Sequence, residues 1–216
     1  MCNLYSIRKG PAAILDLVRA MSNDAGNLEG GEVYPDYAAP IVRRDAAGGG
    51  RILARARWGM PSPAFALEGK RTDKGITNLR NIRSPHWRRW LGPEHRCLVP
   101  LTAFSEPGRN ADGGYEPIWF RLAGDDPAPL AFFAGLWTPR WTGVRKLKEG
   151  EVTTDLFGFL TCEPNAEVGA VHPKAMPVIL TESAEFDTWM NAPWEIAAGL
   201  QKPLADGVLI RVPSNR

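Results

Sequence analysis

The feature that most constrains this 216-residue chain is a succession of short apolar segments rich in β-branched and aromatic residues. The segment Arg51–Trp58 alternates apolar and charged residues and predicts a strand with one solvated face. Other segments that predict strands are RCLVPLTAF, PIWFRLA, LAFFAGLW, DLFGFLTC, AMPVIL and GVLIRVP. Long helices do not alternate with these segments, as they would in a parallel βαβ protein. We therefore predict an α+β fold, in which a mainly antiparallel, partly closed β-sheet carries short peripheral helices.

Helices are predicted mainly near the two ends of the chain. Residues 11–21 begin with proline and place apolar residues at helical spacing, which predicts a helix. The stretch SPHWRRWL predicts a short helix, and SAEFDTWMN and PWEIAAGLQ predict two more near the end. Residues 22–50 are rich in Gly, Asp, Asn and Pro and predict loops around at most short strands. Because no linker or repeat is visible, residues 1–216 are predicted to form a single domain.

Charge and cysteine content exclude several classes of protein. The net charge is +2, so the molecule is no polycation, but NLRNIRSPHWRRW holds four arginines and no acid and predicts a local anion-binding patch. The chain has three cysteines, an odd and small number that predicts no disulfide scaffold. Because they form no CxxC pair and there are only three histidines, no metal site is predicted, and no cofactor is expected. The first residues do not resemble a signal peptide, and no apolar run approaches ~20 residues. A cytoplasmic protein without a membrane partner is therefore predicted.

Cysteine at position 2 offers unusual chemistry. If Met1 is removed, Cys2 carries a thiol and an α-amine on adjacent carbons, with ordinary pKa values of ~8.5 and ~8. Such a pair can capture an aldehyde, because the amine forms an imine and the thiol then closes a five-membered thiazolidine ring. The alternative is that Cys2 is simply a small buried hydrophobic residue, as most cysteines are.

Three further positions carry groups suited to catalysis or binding. Asn78 stands beside Arg80 and Arg83, whose guanidinium groups suit phosphate, although the same pattern describes a solvated polar loop. Glu106 follows an apolar run, so burial could raise its pKa into the range useful for proton transfer; the alternative is an exposed turn. His172 precedes a predicted strand and could act as an acid or a base, or serve only as a structural hydrogen-bonding residue.

Tryptophans interleaved with arginines follow this loop. Trp87 and Trp90 flank Arg88 and Arg89, and basic residues mixed with aromatic ones suit single-stranded nucleic acid, since rings stack on bases while guanidinium groups contact phosphates. The alternative is that tryptophans three residues apart on a short helix belong to the core.

Several motifs together resemble one known family. In order along the chain they are MC, YPDYAAP, RWGMPSP, TNLRNIRS, RCLVPLTAFSEP, AGLW and VHPKAMPVIL. This combination resembles the SOS-response-associated peptidase (SRAP) family, whose members shield abasic sites in single-stranded DNA and have an antiparallel, β-rich α+β fold. The resemblance implies a self-crosslinking, thiol-dependent protein of the DNA damage response. It would sense abasic sites, form a thiazolidine through Cys2 after loss of Met1, and could itself cleave the Met1–Cys2 bond.

The resemblance also assigns roles to residues. Cys2 would be the crosslinking nucleophile, Asn78 the residue that orients it, and Glu106 and His172 the two acid/base groups. The implied DNA-binding residues are Arg80, Arg83, Arg88, Pro40, Trp58 and Gly59. Of these, Arg80 would grip a phosphate, whereas Pro40 and the strip Trp58–Gly59 would shape the DNA groove.

The sequence departs from the family pattern at two points that concern DNA. Leu4 stands where many members have arginine, and Phe65 is the only aromatic residue in a region where many carry a tryptophan pair. Two other classes of function stay open. One is an N-terminal-nucleophile cysteine amidohydrolase acting on a small substrate, and the other is a non-catalytic, single-stranded nucleic-acid-binding module. A monomer that associates with the nucleoid when bound to DNA is expected.

Overall fold

Strands are the main regular secondary structure in the computed structural model, which describes residues 2–46, 49–109, 112–124 and 127–213. The strands are β1 (Leu4–Ile7), β2 (Ser22–Asn23), β3 (Gly31–Val33), β4 (Ala38–Arg44), β5 (Arg51–Trp58), β6 (Asn78–Leu79), β7 (Arg96–Leu101), β8 (Ala103–Arg109), β9 (Tyr115–Leu122), β10 (Ala131–Val144), β11 (Glu151–Cys162), β12 (Met176–Pro177), β13 (Ile179–Leu180) and β14 (Leu209–Val212). The α-helices are α1 (Pro11–Val18), α2 (Ala64–Leu67), α3 (Ala166–Gly169), α4 (Ser183–Asn191) and α5 (Trp194–Ala197). Short 3₁₀ helices cover Pro85–Trp90, Pro93–His95 and Ala198–Leu200.

Five strands close into a ring. Strands β5, β4, β7, β10 and β11 are antiparallel neighbours in that order, and β11 pairs in parallel with β5 through Leu156–Arg57 and Phe157–Trp58. Closure satisfies strand edges that would otherwise present unpaired backbone groups. The prediction of a mainly antiparallel, partly closed sheet with short helices is confirmed.

A second, five-stranded sheet holds the beginning of the chain. Its order is β14–β9–β8–β1–β3, so β1 lies between two antiparallel neighbours. The two-residue strand β6 lies elsewhere and pairs in parallel with β11. Two of the predicted site residues depend on these short strands: Asn78 is the first residue of β6, and Cys2 lies two residues before β1.

Aromatic side chains fill the space between the sheets. Tyr5 on β1 is fully buried and meets Trp58 and Phe133 edge-on, with ring centroids 5.2 and 5.4 Å apart. Phe133 in turn stacks on Phe159 at 4.2 Å. Each buried ring of this size contributes roughly 1.5–3 kcal/mol relative to exposure. The main cluster of buried residues extends from Cys2 to Leu209 as the core of a single-domain fold, although the exact bounds 1–216 stay a prediction.

Two local predictions need comment. Residues 22–50 do not contain only short strands, because β4 is seven residues long and belongs to the ring. Pro40 in this strand lies where β4 pairs with β5 alone, and a strand tolerates a residue without an N–H at such a place. The stretch SAEFDTWMN is helix α4 from its first residue to its last, as predicted.

Candidate active site

Pairing of β1 with β8 brings Cys2 to Glu106. Leu4 lies opposite Ser105 in this antiparallel pair, so the residues before Leu4 run alongside Glu106. The backbone N–H of Cys2 lies near the Glu106 carboxyl and favours its charged form, and the Cys2 thiol lies 3.6 Å from the carbonyl oxygen of Leu4. Both side chains are buried, with 0% and 1% of their surface exposed. The nitrogen of Cys2 therefore lies against a carboxyl group inside the protein.

His172 lies beside Glu106. Its Nδ1 lies 3.5 Å from Glu106 Oε2 and 3.0 Å from the carbonyl oxygen of Ala175. Because a carbonyl oxygen only accepts, we assign the hydrogen of the neutral ring to Nδ1, which leaves Nε2 as an acceptor. The turn between α3 and β12 holds the ring in place, since the N–H of His172 donates to the carbonyl of Val168 at 2.8 Å.

Burial sets the protonation of this site. It raises the pKa of Glu106 from 4.5 to about 7, so this carboxyl exchanges protons near neutral pH. Burial, with a smaller effect from the Glu106 charge, raises the pKa of the Cys2 thiol well above its ordinary value. The site thus holds a neutral thiol next to a carboxyl that titrates in the physiological range.

Asn78 approaches the cysteine from the other sheet. Its Nδ2 donates to the Cys2 carbonyl oxygen at 2.7 Å and lies 2.9 Å from Thr77 Oγ1. Its Oδ1 is buried and has no hydrogen-bond partner among the described residues. Pairing of β6 with β11 at Phe159 sets this position. The close pairing of β6 with β11 depends on the glycine at position 158, because a Cβ there would lie 2.7 Å from the side chain of Leu79.

The four predicted catalytic residues therefore meet in one place, although they lie far apart in sequence. Cys2 contacts both Asn78 and Glu106, and Glu106 in turn contacts His172. Their catalytic roles stay predictions. No group of three His, Cys, Asp or Glu side chains within the described ranges could hold a metal ion. The cysteines at positions 2, 97 and 162 are all unpaired and buried.

The predicted DNA-binding arginines lie at the surface. Arg83 and Arg88 are exposed, and Arg80 is partly exposed and forms an ion pair with Glu163. Glu163 was not predicted, because it lies 83 positions along the chain from Arg80 and leaves no local signal. Phe65 on α2 is 76% exposed, so it is the aromatic side chain open to solvent in this region.

The predicted groove-shaping residues are buried instead. Pro40 lies in β4, and Trp58 is 1% exposed and stacks on Phe157 and Phe159. Trp58 Nε1 donates to the carbonyl oxygen of Thr77 at 3.2 Å, so this ring supports the segment that carries Asn78. Their assignment to the DNA groove stays a prediction.

Gly59 is buried and belongs to a contact, called here the Arg145 cradle, that Arg145 makes with Gly59, Asp73 and Gly75. It has a φ of +142°, and its carbonyl oxygen accepts from the guanidinium of Arg145. Arg145 also donates to the carbonyl of Asp73 at 3.0 Å, and Gly75 leaves the space that the guanidinium occupies. This buried contact joins the two ends of the loop that leads into β6.

The tryptophans of SPHWRRWL belong to the core. Trp87 and Trp90 are each 5% exposed, so the reading of them as base-stacking residues is wrong and the alternative is right. The guanidinium of Arg89 lies over the Trp90 ring at 4.2 Å, which accounts for the mixture of basic and aromatic residues.

Fold and site together define a small β-barrel protein with a buried N-terminal cysteine set among polar groups. The chain belongs to the SOS response associated peptidase (SRAP) family, whose sequence profile matches residues 1–212. The resemblance drawn from the motifs is thereby confirmed, and the name of the family associates it with the SOS response. No curated protein matches the chain. Among the described residues, no helix is both long and apolar enough to cross a membrane.

Solved structures share the fold. A crystal structure of a protein from Bacteroides thetaiotaomicron superposes with a TM-score of 0.71 at 20% identity, covering 97% of this chain and 90% of its own. A phage-related protein from Bordetella bronchiseptica gives a TM-score of 0.67 at 20% identity, covering 100% of this chain and 95% of its own. These similarities establish the architecture and carry no functional assignment.

Proposed function

We propose that this protein forms a covalent thiazolidine with abasic sites in single-stranded DNA through Cys2, after removal of Met1, and so shields the lesion. The observation that carries the proposal is the grouping of Cys2 with the buried Glu106 carboxyl, with Asn78 on the Cys2 carbonyl and His172 beside Glu106. Loss of Met1 converts the Cys2 amide nitrogen into an amine. A proton-transfer group then lies at the atom that must attack, as general acid–base catalysis requires.

In the first step, the neutral amine attacks C1′ of the ring-opened sugar and forms a C–N bond, while protonated Glu106 gives its proton to the carbonyl oxygen. Glu106 then takes one proton from nitrogen and gives it to the hydroxyl, which leaves as water as the C=N bond forms. Removal of the second nitrogen proton by Glu106 yields the neutral imine and restores the protonated carboxyl. A carboxyl with a pKa of about 7 can do both at neutral pH. His172, 3.5 Å from Glu106, can relay protons during opening of the sugar ring.

In the second step, the thiol adds to the imine. A C–S bond forms, the C=N π electrons move to nitrogen, and the thiol proton goes with them. The net reaction releases one water and needs no oxidant or cofactor. Because burial keeps the thiol protonated, we infer that the amine attacks first. Asn78 holds the Cys2 carbonyl and so fixes both nucleophiles relative to the sugar.

The test uses a single-stranded oligonucleotide with one uracil, converted to an abasic site by a uracil glycosylase. Intact mass spectrometry should show a covalent adduct for the wild type and none for Cys2→Ala. The matched control is Cys97→Ala, which removes an equally buried thiol and should still form the adduct. Cys2→Ser keeps the amine, so its imine should be trapped only with borohydride. Absence of any adduct with Met1-free wild-type protein would refute the proposal.

The same samples separate the two other classes of function. An amidohydrolase would turn over amide substrates and ignore abasic DNA, whereas a simple binding module would bind abasic DNA but form no adduct even as the wild type. We also propose that this site cleaves the Met1–Cys2 bond. In a reconstituted translation system without aminopeptidase, wild type should lose Met1 and Glu106→Gln should retain it. Retention of Met1 by wild type would refute self-cleavage.

A further inference from the structure

A buried ion pair lies in the loop of residues 59–77, which leaves β5 and leads into Asn78 at the start of β6. It joins Arg145, in the turn after β10, to Asp73 of the loop, with 3.7 Å between Nη1 and Oδ1. The two residues are 4% and 6% exposed. Removing two charges from water is costly, and such a pair is often no more stabilising than apolar residues of the same size. What the pair contributes lies in the contacts that it makes with the loop.

The guanidinium of Arg145 is fixed on several sides. It donates to the carbonyl oxygens of Gly59 and Asp73, the latter at 3.0 Å, and so reaches both ends of the loop. It lies over the Trp141 ring at 4.5 Å. A Cβ at Gly75 would collide with Arg145 Nη1, so glycine at this position leaves the space that the cation needs. The Arg145 cradle therefore holds this side chain in one place.

The carboxylate of Asp73 organises the inside of the loop. It accepts from the N–H and the hydroxyl of Ser62 at 3.0 and 2.6 Å, and from the N–H of Gly75 at 2.7 Å. The backbone N–H of Asp73 donates to the carbonyl of Val144 at 2.9 Å. The two ends of the loop and the end of β10 are thus joined at one carboxylate, whose charge Arg145 balances.

The path from the Arg145 cradle to Asn78 is short. Met60 and Ile76 exchange two backbone hydrogen bonds, at 2.9 and 2.8 Å, so the two ends of the loop run side by side. The carbonyl oxygen of the next residue, Thr77, accepts from Trp58 Nε1 at 3.2 Å. Only Ile76 and Thr77 separate the cradle from Asn78 along the chain. A displacement of the cradle is therefore passed on to Asn78.

We infer that Arg145 is a positioning residue for the Cys2 site. By holding the loop it fixes Asn78, whose Nδ2 lies 2.7 Å from the Cys2 carbonyl oxygen, and so sets the direction of the Cys2 thiol and amine. A misplacement of about 1 Å caused far from the chemistry can lower a rate about 100-fold. The inference rests on the proposed function for the reaction whose rate Arg145 influences.

The test is a double-mutant cycle that asks whether Arg145 acts through Asn78. Arg145→Lys keeps a cation beside Asp73, but an ammonium lacks the planar fork that serves two carbonyls at once. In single-turnover crosslinking of Met1-free protein with saturating abasic single-stranded DNA, this variant should form the adduct about 5- to 50-fold more slowly. In the Asn78→Ala background the same change should alter the rate by less than about two-fold, because the group through which it acts is gone.

Arg96→Lys is the matched control, since Arg96 is 0% exposed and donates to three backbone carbonyl oxygens outside this loop. Circular dichroism verifies that each variant is folded at the assay temperature. Arg96→Lys should react within about two-fold of the wild-type rate. If Arg145→Lys reacts as fast as Arg96→Lys, or slows the reaction equally in both backgrounds, the positioning role is refuted.

A second measurement needs no DNA, so its outcome is separate from that of the proposed function. In isotope-labelled protein, the side-chain amide resonances of Asn78 are assigned by NMR from their loss in Asn78→Ala. They should shift in Arg145→Lys, because the hydrogen bond to the Cys2 carbonyl changes, and stay in place in Arg96→Lys. Unshifted Asn78 resonances in Arg145→Lys would overturn the inference, whether or not the wild-type protein crosslinks to DNA.

Discussion

Replacement of Asn78 by alanine removes the contact that joins the two sheets at Cys2. The side-chain amide donates to the Cys2 carbonyl at 2.7 Å, inside a site where Cys2 is fully buried. Loss of the donor leaves that carbonyl without this partner, at a cost of about 1–3 kcal/mol. If the same contact orients the nucleophile during reaction, the rate of adduct formation should fall by about 5- to 150-fold.

The assay is single-turnover crosslinking of Met1-free protein to abasic single-stranded DNA, with the adduct quantified on denaturing gels. Thermal unfolding is measured in parallel, so that a loss of structure is not mistaken for a loss of reactivity. Asn191→Ala is the matched control, because Asn191 is an exposed asparagine at the end of α4. An Asn78→Ala rate within two-fold of the Asn191→Ala rate would refute the orienting role.

Further predictions concern Glu106, Gly158 and Arg145. The raised pKa of Glu106 means that the folded state holds this proton more tightly than the unfolded state, so its contribution to stability is complete below pH 4.5 and is lost as pH rises to about 7. Urea unfolding should show a fall of about 3 kcal/mol over this range that Glu106→Gln lacks; equal pH profiles would contradict this. Gly158→Ala should destabilise the protein by about 1–3 kcal/mol, because its Cβ would lie 2.7 Å from the side chain of Leu79 in β6. Gly199→Ala is the control, since a Cβ there meets open space and should leave the free energy of unfolding unchanged. Arg145→Met leaves Asp73 buried without its cation and should cost about 3–5 kcal/mol in chemical denaturation; a loss below 1 kcal/mol would show that the cradle is dispensable.

Local patterns predicted those parts of the fold that depend on local forces. The helix Ser183–Asn191 and the strand Arg51–Trp58 were predicted with their observed bounds, since periodicity and flanking residues express local preference. The strand Ala38–Arg44 was missed, because two long neighbours impose it on a segment whose composition favours loops.

The sequence by itself determined which chemical groups are present: a cysteine at position 2, and Asn78, Glu106 and His172 within recognisable motifs. Only the tertiary structure decided that they meet, because strand pairing over about one hundred residues sets Cys2 against Glu106. It also decided that Trp87 and Trp90 are core residues and that Arg80 pairs with Glu163. Burial and long-range electrostatic contacts depend on every neighbour in space, so a linear pattern supplies the groups but not their protonation or their partners.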